Sequence, residues 1–89
     1  MVVPAVALTL ISKPDCHLCD DAREVVTRVM GELAQRASVS LDERSILDDA
    51  ELNERYWDEI PVVLIDGKVH TIWRVDPTRL RTAIEEAAG

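Results

Sequence analysis

Positive charge is scarce in this sequence. Lys and Arg number 10 against 17 Asp and Glu, a formal net charge of −7 over 89 residues. Phosphate backbones are gripped by clustered cations, so the composition argues against a nucleic-acid-binding face. Anionic lipid headgroups repel the same surface, and no membrane partner is expected. Long apolar runs are lacking as well. Val2–Ile11, the longest near the N-terminus, is broken by Pro4 and Thr9 and falls short of the roughly 20 residues a spanning helix needs. No cationic stretch precedes it, so it does not read as an export signal. The expected compartment is therefore the reducing cytoplasm. Cysteine is limited to two residues, and in that compartment a pair is more often catalytic or metal-binding than a structural staple.

Repeats, low-complexity tracts and linkers are also missing, so a single domain over residues 1–89 is expected. Hydrophobic residues make up 47% of the chain and charged residues 30%, a balance that argues for a globular fold and against disorder. A chain of this length supports one modest core. Without an obvious apolar surface stripe, a monomer is expected.

Val6–Ser12 is apolar and ends at Lys13-Pro14-Asp15, which reads as a buried strand entering a turn. Ala22, Val25, Val26, Val29, Met30 and Leu33 then recur at helical spacing, an amphipathic helix of about 18 residues. Asp20 and Asp21 are assigned to its first turn, where the helix dipole favours acids. Ser38-Val39-Ser40-Leu41 alternates polar and apolar, so a half-buried strand begins there. Asp48-Asp49 can cap a short helix holding Leu52 and Tyr56, which Ile60-Pro61 stops. The acidic run Asp48–Glu51 lacks the spacing of a calcium loop. Val62–Ile65 is wholly apolar and reads as a central strand. Asp66-Gly67 is a hairpin signal joining it to Lys68–Trp73. Asp76-Pro77 starts a last helix with Leu80, Ala83, Ile84 and Ala87 on its inner face. His70 is read as structural, and Trp57 and Trp73 as filling core or groove. The expected fold class is α/β, in the order βαβαββα.

Cys16-His17-Leu18-Cys19 carries the chemistry. Where a strand meets a helix, a C-x-x-C puts its first cysteine at or just before the helix N-terminus. Free N–H groups and the dipole favour the thiolate there. Cys19, one turn further in, can close a disulfide with Cys16, and thiol–disulfide exchange needs such a pair. Cys16 is the expected nucleophile and Cys19 the more buried resolving thiol. Lys13 and a protonated His17 would lower the pKa of Cys16, while Asp15, Asp20 and Asp21 would raise it. The expected balance is a modest depression. His17 reads mainly as a solvated first-turn residue, with thiolate stabilisation as its functional role.

Ser12-Lys13-Pro14-Asp15-Cys16-His17-Leu18-Cys19-Asp20, together with Ile60-Pro61-Val62, resembles the active-site and cis-proline segments of glutaredoxins and other thioredoxin-fold proteins. The stretch from Glu51-Leu52 through Tyr56, Ile60–Val63 and Asp66-Gly67 to Trp73 is similar to small bacterial glutaredoxin-like proteins. The resemblance covers nearly the whole chain. It implies a thioredoxin-like four-stranded mixed sheet flanked by three helices, and a disulfide-reducing oxidoreductase working through Cys16 and Cys19. It also implies that Lys13 helps hold a thiol ligand's carboxylate, that Pro61 is the cis-proline, and that the backbone of Ile60 pairs with a bound thiol peptide. Implied partners are a disulfide-containing protein or small molecule, and glutathione, another low-molecular-weight thiol or a reductase as reductant. No tightly bound cofactor is expected. The family's glycine pair after the last strand is replaced by Thr71–Asp76, which contains no glycine, and its Pro-aromatic pair between the cysteines by His17-Leu18.

Other readings of the pair stay open. Metal-transfer domains also place a C-x-x-C where a strand meets a helix, and an iron–sulfur cluster could bridge two subunits through Cys16. A non-catalytic interaction module could keep two inert thiols. Against a copper- or zinc-handling module stand the lack of a Met two positions before Cys16, the otherwise unexplained Ile60-Pro61, and the closing helix. His17 between the cysteines is poorly placed to complete a four-ligand zinc site with His70, so no metal ligands are assigned.

Overall fold

A computed structural model describes residues 5–89. Val2, Val3 and Pro4 of the first apolar run, and the start of the expected 1–89 domain, lie outside the described residues. The elements are β1 (Ala5–Ser12), α1 (His17–Leu33), β2 (Ser38–Ser45), α2 (Ala50–Tyr56), β3 (Val62–Ile65), β4 (Lys68–Ile72) and α3 (Pro77–Ala88). Their order is the expected βαβαββα. The sheet runs β2-β1-β3-β4, with β1 parallel to β2 and antiparallel to β3, and β4 antiparallel to β3. A parallel β1–β2 pair requires a crossover, and α1 supplies it.

Side chains alternate along β1 and divide the core into two layers. Val6, Leu8 and Leu10 join Ala22, Val26, Val29 and Leu33 of α1 and Leu80 and Ile84 of α3. On the opposite face Ile11 packs with Ile46, Tyr56 and Val62, and Leu52 lies against them. Three helices therefore cover both faces of one mixed sheet. Among the described residues, no helix is long and apolar enough to cross a membrane.

The helices begin where the capping residues lie. Asp49 accepts from the N–H groups of Glu51 and Leu52 at the start of α2. Asp76 does the same for Thr78 and Arg79 at the start of α3, with Pro77 at the first helical position. Each such cap stabilises its helix by about 1 kcal/mol. Helix α1 has 17 residues, and only Asp20 of the two expected acids falls in its first turn, because the helix starts at His17. Asp21 lies in the second turn.

The second strand begins at Ser38 as expected and runs on to Ser45 through the polar run Asp42-Glu43-Arg44; as an edge strand it has no need to alternate there. Three further expectations are corrected. On α3 the inner face continues from Leu80 and Ile84 to Ala88, which packs on the core, because the step is four residues; Ala87 is exposed. Helix α2 closes at Tyr56 with Trp57 as C-cap, before Ile60-Pro61 is reached. Neither tryptophan fills the core: Trp57 is 64% exposed, whereas Trp73, 53% exposed, takes the groove position that was the other expectation.

The β3–β4 turn follows its sequence. Asp66 and Gly67 both have positive φ, 49° and 84°, as a two-residue turn matched to strand twist requires. Asp66 also ties the hairpin to β1. Its N–H donates to the Ala7 carbonyl at 2.8 Å, and its Oδ1 accepts from the Ala7 N–H at 2.9 Å.

Two measurements test this packing. Leu10 is fully buried, and Leu10→Ala is expected to cost about 2–5 kcal/mol in urea unfolding. The Nε2 of half-buried His70 has no hydrogen-bond partner among the described residues. Burial first, and Arg79 second, hold its pKa below the ordinary imidazole value. The fold therefore favours the neutral ring. That contribution is complete above the unfolded-state pKa of about 6.5 and is lost as pH falls below it. Denaturation midpoints at pH 7.5 and 5.5 should show wild type losing more stability on acidification than His70→Leu.

Candidate active site

Strand register brings the site residues to one end of the sheet. Ile11 near the end of β1 pairs with Val62 at the start of β3, and Val62 pairs with Ile72 at the end of β4. The residues just beyond these pairs, Lys13–Cys16, Pro61 and Trp73, consequently emerge at the same edge. The turn from β1 into α1 passes through Asp15 at φ 57°, a left-handed conformation that aspartate tolerates better than most side chains.

Cys16 is the N-cap of α1 and is half-buried. Its Sγ accepts the N–H of Cys19 at 3.2 Å, taking the role an aspartate or serine oxygen has at other helix starts. Cys16 and Cys19 are disulfide-paired with their Cα atoms 5.2 Å apart, within the usual disulfide span. Cys19 is fully buried. The two sulfurs thus differ in access, with the outer one lying at the positive end of the helix dipole.

Lys13 and His17 are both exposed, Lys13 in the turn before the pair and His17 as the first residue of α1. The Ile60–Pro61 peptide is cis. Pro61 is fully buried and Ile60 partly so. The Pro61 carbonyl accepts from the Trp73 N–H at 2.8 Å, extending the β3–β4 ladder beyond Ile72. Trp73 itself has φ 67°, and its Nε1 donates to the Asp58 carbonyl at 3.0 Å. A cleft of about 220 Å³ opens between Leu18, Asp21, Ala22 and Val25 of α1 and Trp73, Arg74 and Val75 of the loop after β4.

Behind the cysteines lies a polar chain. The buried Ser12 hydroxyl donates to Glu43 Oε2 at 3.0 Å. Arg23 grips Glu43 through two bonds, Nε to Oε1 at 2.6 Å and Nη2 to Oε2. Its Nη1 donates to Asp20 Oδ1 at 2.8 Å. Hydrogen bonding from Arg23 holds the Glu43 carboxyl below the usual carboxylate range, against the opposing effect of burial. The same two carboxylates, Glu43 first, raise the Arg23 pKa. Sequence reasoning did not single out Arg23 or Glu43. The Asp20–Arg23 spacing was a local signal, whereas the Glu43 contact depends on the β1–β2 register. Among the described residues, no group of three or more His, Cys, Asp and Glu side chains is arranged to hold a metal ion.

This geometry accompanies clear likenesses. A family model described as "Glutaredoxin-like domain (DUF836)" matches residues 7–85, and the chain belongs to that family. A protein of Mycobacterium tuberculosis is 30% identical over 76 residues, 84% of this chain and 78% of that one. A glutaredoxin-like protein of Dictyostelium discoideum is 27% identical over 85 residues, 91% and 77% of the two chains. The crystal structure of target protein XcR50 from X. campestris is 34% identical, with a TM-score of 0.70 over 90% of this chain and 97% of that one. Chloroplastic thioredoxin z, at 11% identity, superposes with a TM-score of 0.72 over 94% of this chain and 79% of its own. The fold is thioredoxin-like.

The turn before Cys16 can be tested directly. Because Asp15 sits at positive φ, Asp15→Gly is expected to leave thermal stability unchanged or raised by up to about 1 kcal/mol. Asp15→Val should lower it by more than about 1 kcal/mol, as a β-branched side chain is strained there.

Proposed function

We propose that the protein is a thiol–disulfide oxidoreductase whose working group is the Cys16–Cys19 dithiol. The observation that carries this reading is the asymmetry of the pair at a helix start. Cys16 is the accessible N-cap, with its sulfur on a backbone N–H, and Cys19 is buried one turn behind it. The thiolate of Cys16 attacks a substrate disulfide, forming a mixed disulfide and releasing one substrate thiolate. Cys19 then loses its proton to solvent and attacks the Cys16 sulfur, releasing the second thiolate. The substrate gains two electrons and the enzyme is left with the Cys16–Cys19 disulfide. A low-molecular-weight thiol such as glutathione, or a reductase, returns the pair to the dithiol.

Substrate seating follows from the same sheet end. Lys13, exposed three residues before Cys16, is the cation for a substrate carboxylate. The backbone of Ile60, beside the cis peptide, is the edge for a substrate chain. His17 at the first helical position favours the thiolate when protonated. The reducing cytoplasm is the compartment that suits this chemistry, with the protein acting as a monomer.

The test is a redox titration of the full chain, read by alkylation and mass. A single reversible two-electron transition is expected between about −270 and −120 mV, the span of dithiol oxidoreductases. Cys16→Ser should abolish reduction of a model disulfide. Cys19→Ser should stall at a mixed disulfide on Cys16. Absence of the intramolecular disulfide at every oxidising poise would overturn the reading.

A further inference from the structure

Asp20 shares a helix face with Cys16. It lies four residues on, and its N–H donates to the Cys16 carbonyl at 3.0 Å. Side chains four apart on a helix are neighbours, so a free carboxylate at Asp20 would oppose a thiolate at Cys16 more directly than one turned to solvent. Asp20 is not free. Arg23, three residues further along the helix, donates to its Oδ1 at 2.8 Å. Arg23 is held in turn by the two-bond grip on Glu43, whose second partner is the buried hydroxyl at the end of β1. A bidentate guanidinium with a hydrogen-bonded partner is a directed contact, unlike a loose surface ion pair.

We propose that Arg23 is a positioning residue for the dithiol: it draws the Asp20 carboxylate down the helix, away from Cys16, and ties the first turns of α1 to Glu43 of β2, which in turn holds the end of β1. This rests on the exchange chemistry proposed above. The other charged groups around Cys16 are Lys13 and Asp15 in the turn, His17 and Asp21 on the helix, and Arg74 across the cleft. The Asp42–Arg44 pair lies further along β2. All of these stay in place when Arg23 is changed. Of the residues in the network, Asp20 and Glu43 carry two negative charges and Arg23 one positive. Neutralising Arg23 therefore doubles the net negative charge there, from −1 to −2.

The experiment measures iodoacetamide alkylation of Cys16 against pH in the reduced, full-length protein. Wild type is compared with Arg23→Gln, Arg23→Lys, Asp20→Asn and the Arg23→Gln/Asp20→Asn double variant. Arg23→Gln is expected to shift the profile to higher pH and slow alkylation at pH 7 by about three- to tenfold. The double variant should recover most of that loss, and Arg23→Lys should fall between wild type and Arg23→Gln. Asp20→Asn alone should change the rate by less than about twofold, because its carboxylate is already engaged. A profile of folded Arg23→Gln that superposes on wild type would overturn the proposal. So would failure of Asp20→Asn to rescue it. If Arg23→Gln does not fold, Asp20→Asn decides alone: a large acceleration would show that Asp20 is not screened. Redox titration of the same samples separates this outcome from the exchange reading. A wild type without a reversible disulfide sinks that reading and leaves the alkylation comparison intact.

Discussion

The register of β1 fixes everything at the dithiol end of the molecule. This strand is hydrogen-bonded along both edges, to β2 and to β3, and its side chains enter the core on both faces. A slip by one residue would exchange Leu8 and Leu10 with their neighbours and bury the wrong set. Ser12 therefore ends the strand at a determined place, and three residues of turn carry the chain to Cys16. The same ladder sets where Pro61 and Trp73 leave the sheet. The site is precise because it is built at the end of the best-anchored strand, not because its own loop is long or heavily bonded.

A thiolate at Cys16 would stand in an acidic chain of net charge −7, and the structure disperses the acids. Asp49 and Asp76 cap helices, where partial positive charge meets them. Asp42 pairs with Arg44, Glu32 of α1 with Arg81 of α3, and Glu85 of α3 with Arg36 in the turn after α1. Asp66 holds the hairpin to β1. Much of the negative surplus thus has structural employment away from Cys16. At Cys16 itself a sulfur occupies the N-cap that aspartate takes in the other two helices, so its negative form meets the favourable end of α1.

Periodicity made most of this architecture legible. Apolar runs place β1 and β3, helical spacing places α1 and α3, and Asp66-Gly67 and Asp76-Pro77 place a turn and a cap by local chemistry alone. The cysteine spacing located the site. What stayed hidden depends on tertiary neighbours. The second half of β2 has no apolar alternation, because its solvent-facing edge carries no burial requirement. Which tryptophan would take a groove was not legible: Trp57 is exposed, while Trp73 lines a cleft and hydrogen-bonds the Asp58 carbonyl through its indole. Arg23 and Glu43 stand 20 residues apart, and only the parallel pairing of β1 and β2 brings them together.

That unpatterned half of β2 has a use of its own. A sheet edge presents unpaired backbone groups to any other extended chain, and hydrophobic edges invite a second copy to add a strand. At the outer edge here, Asp42, Glu43 and Arg44 set charges of both signs along the exposed backbone. With its cysteine pair at one end of the sheet, the protein is thereby defended against non-covalent capture along the side. The polar run that concealed the strand from pattern reading is the same one that keeps its edge from acting as a template for aggregation.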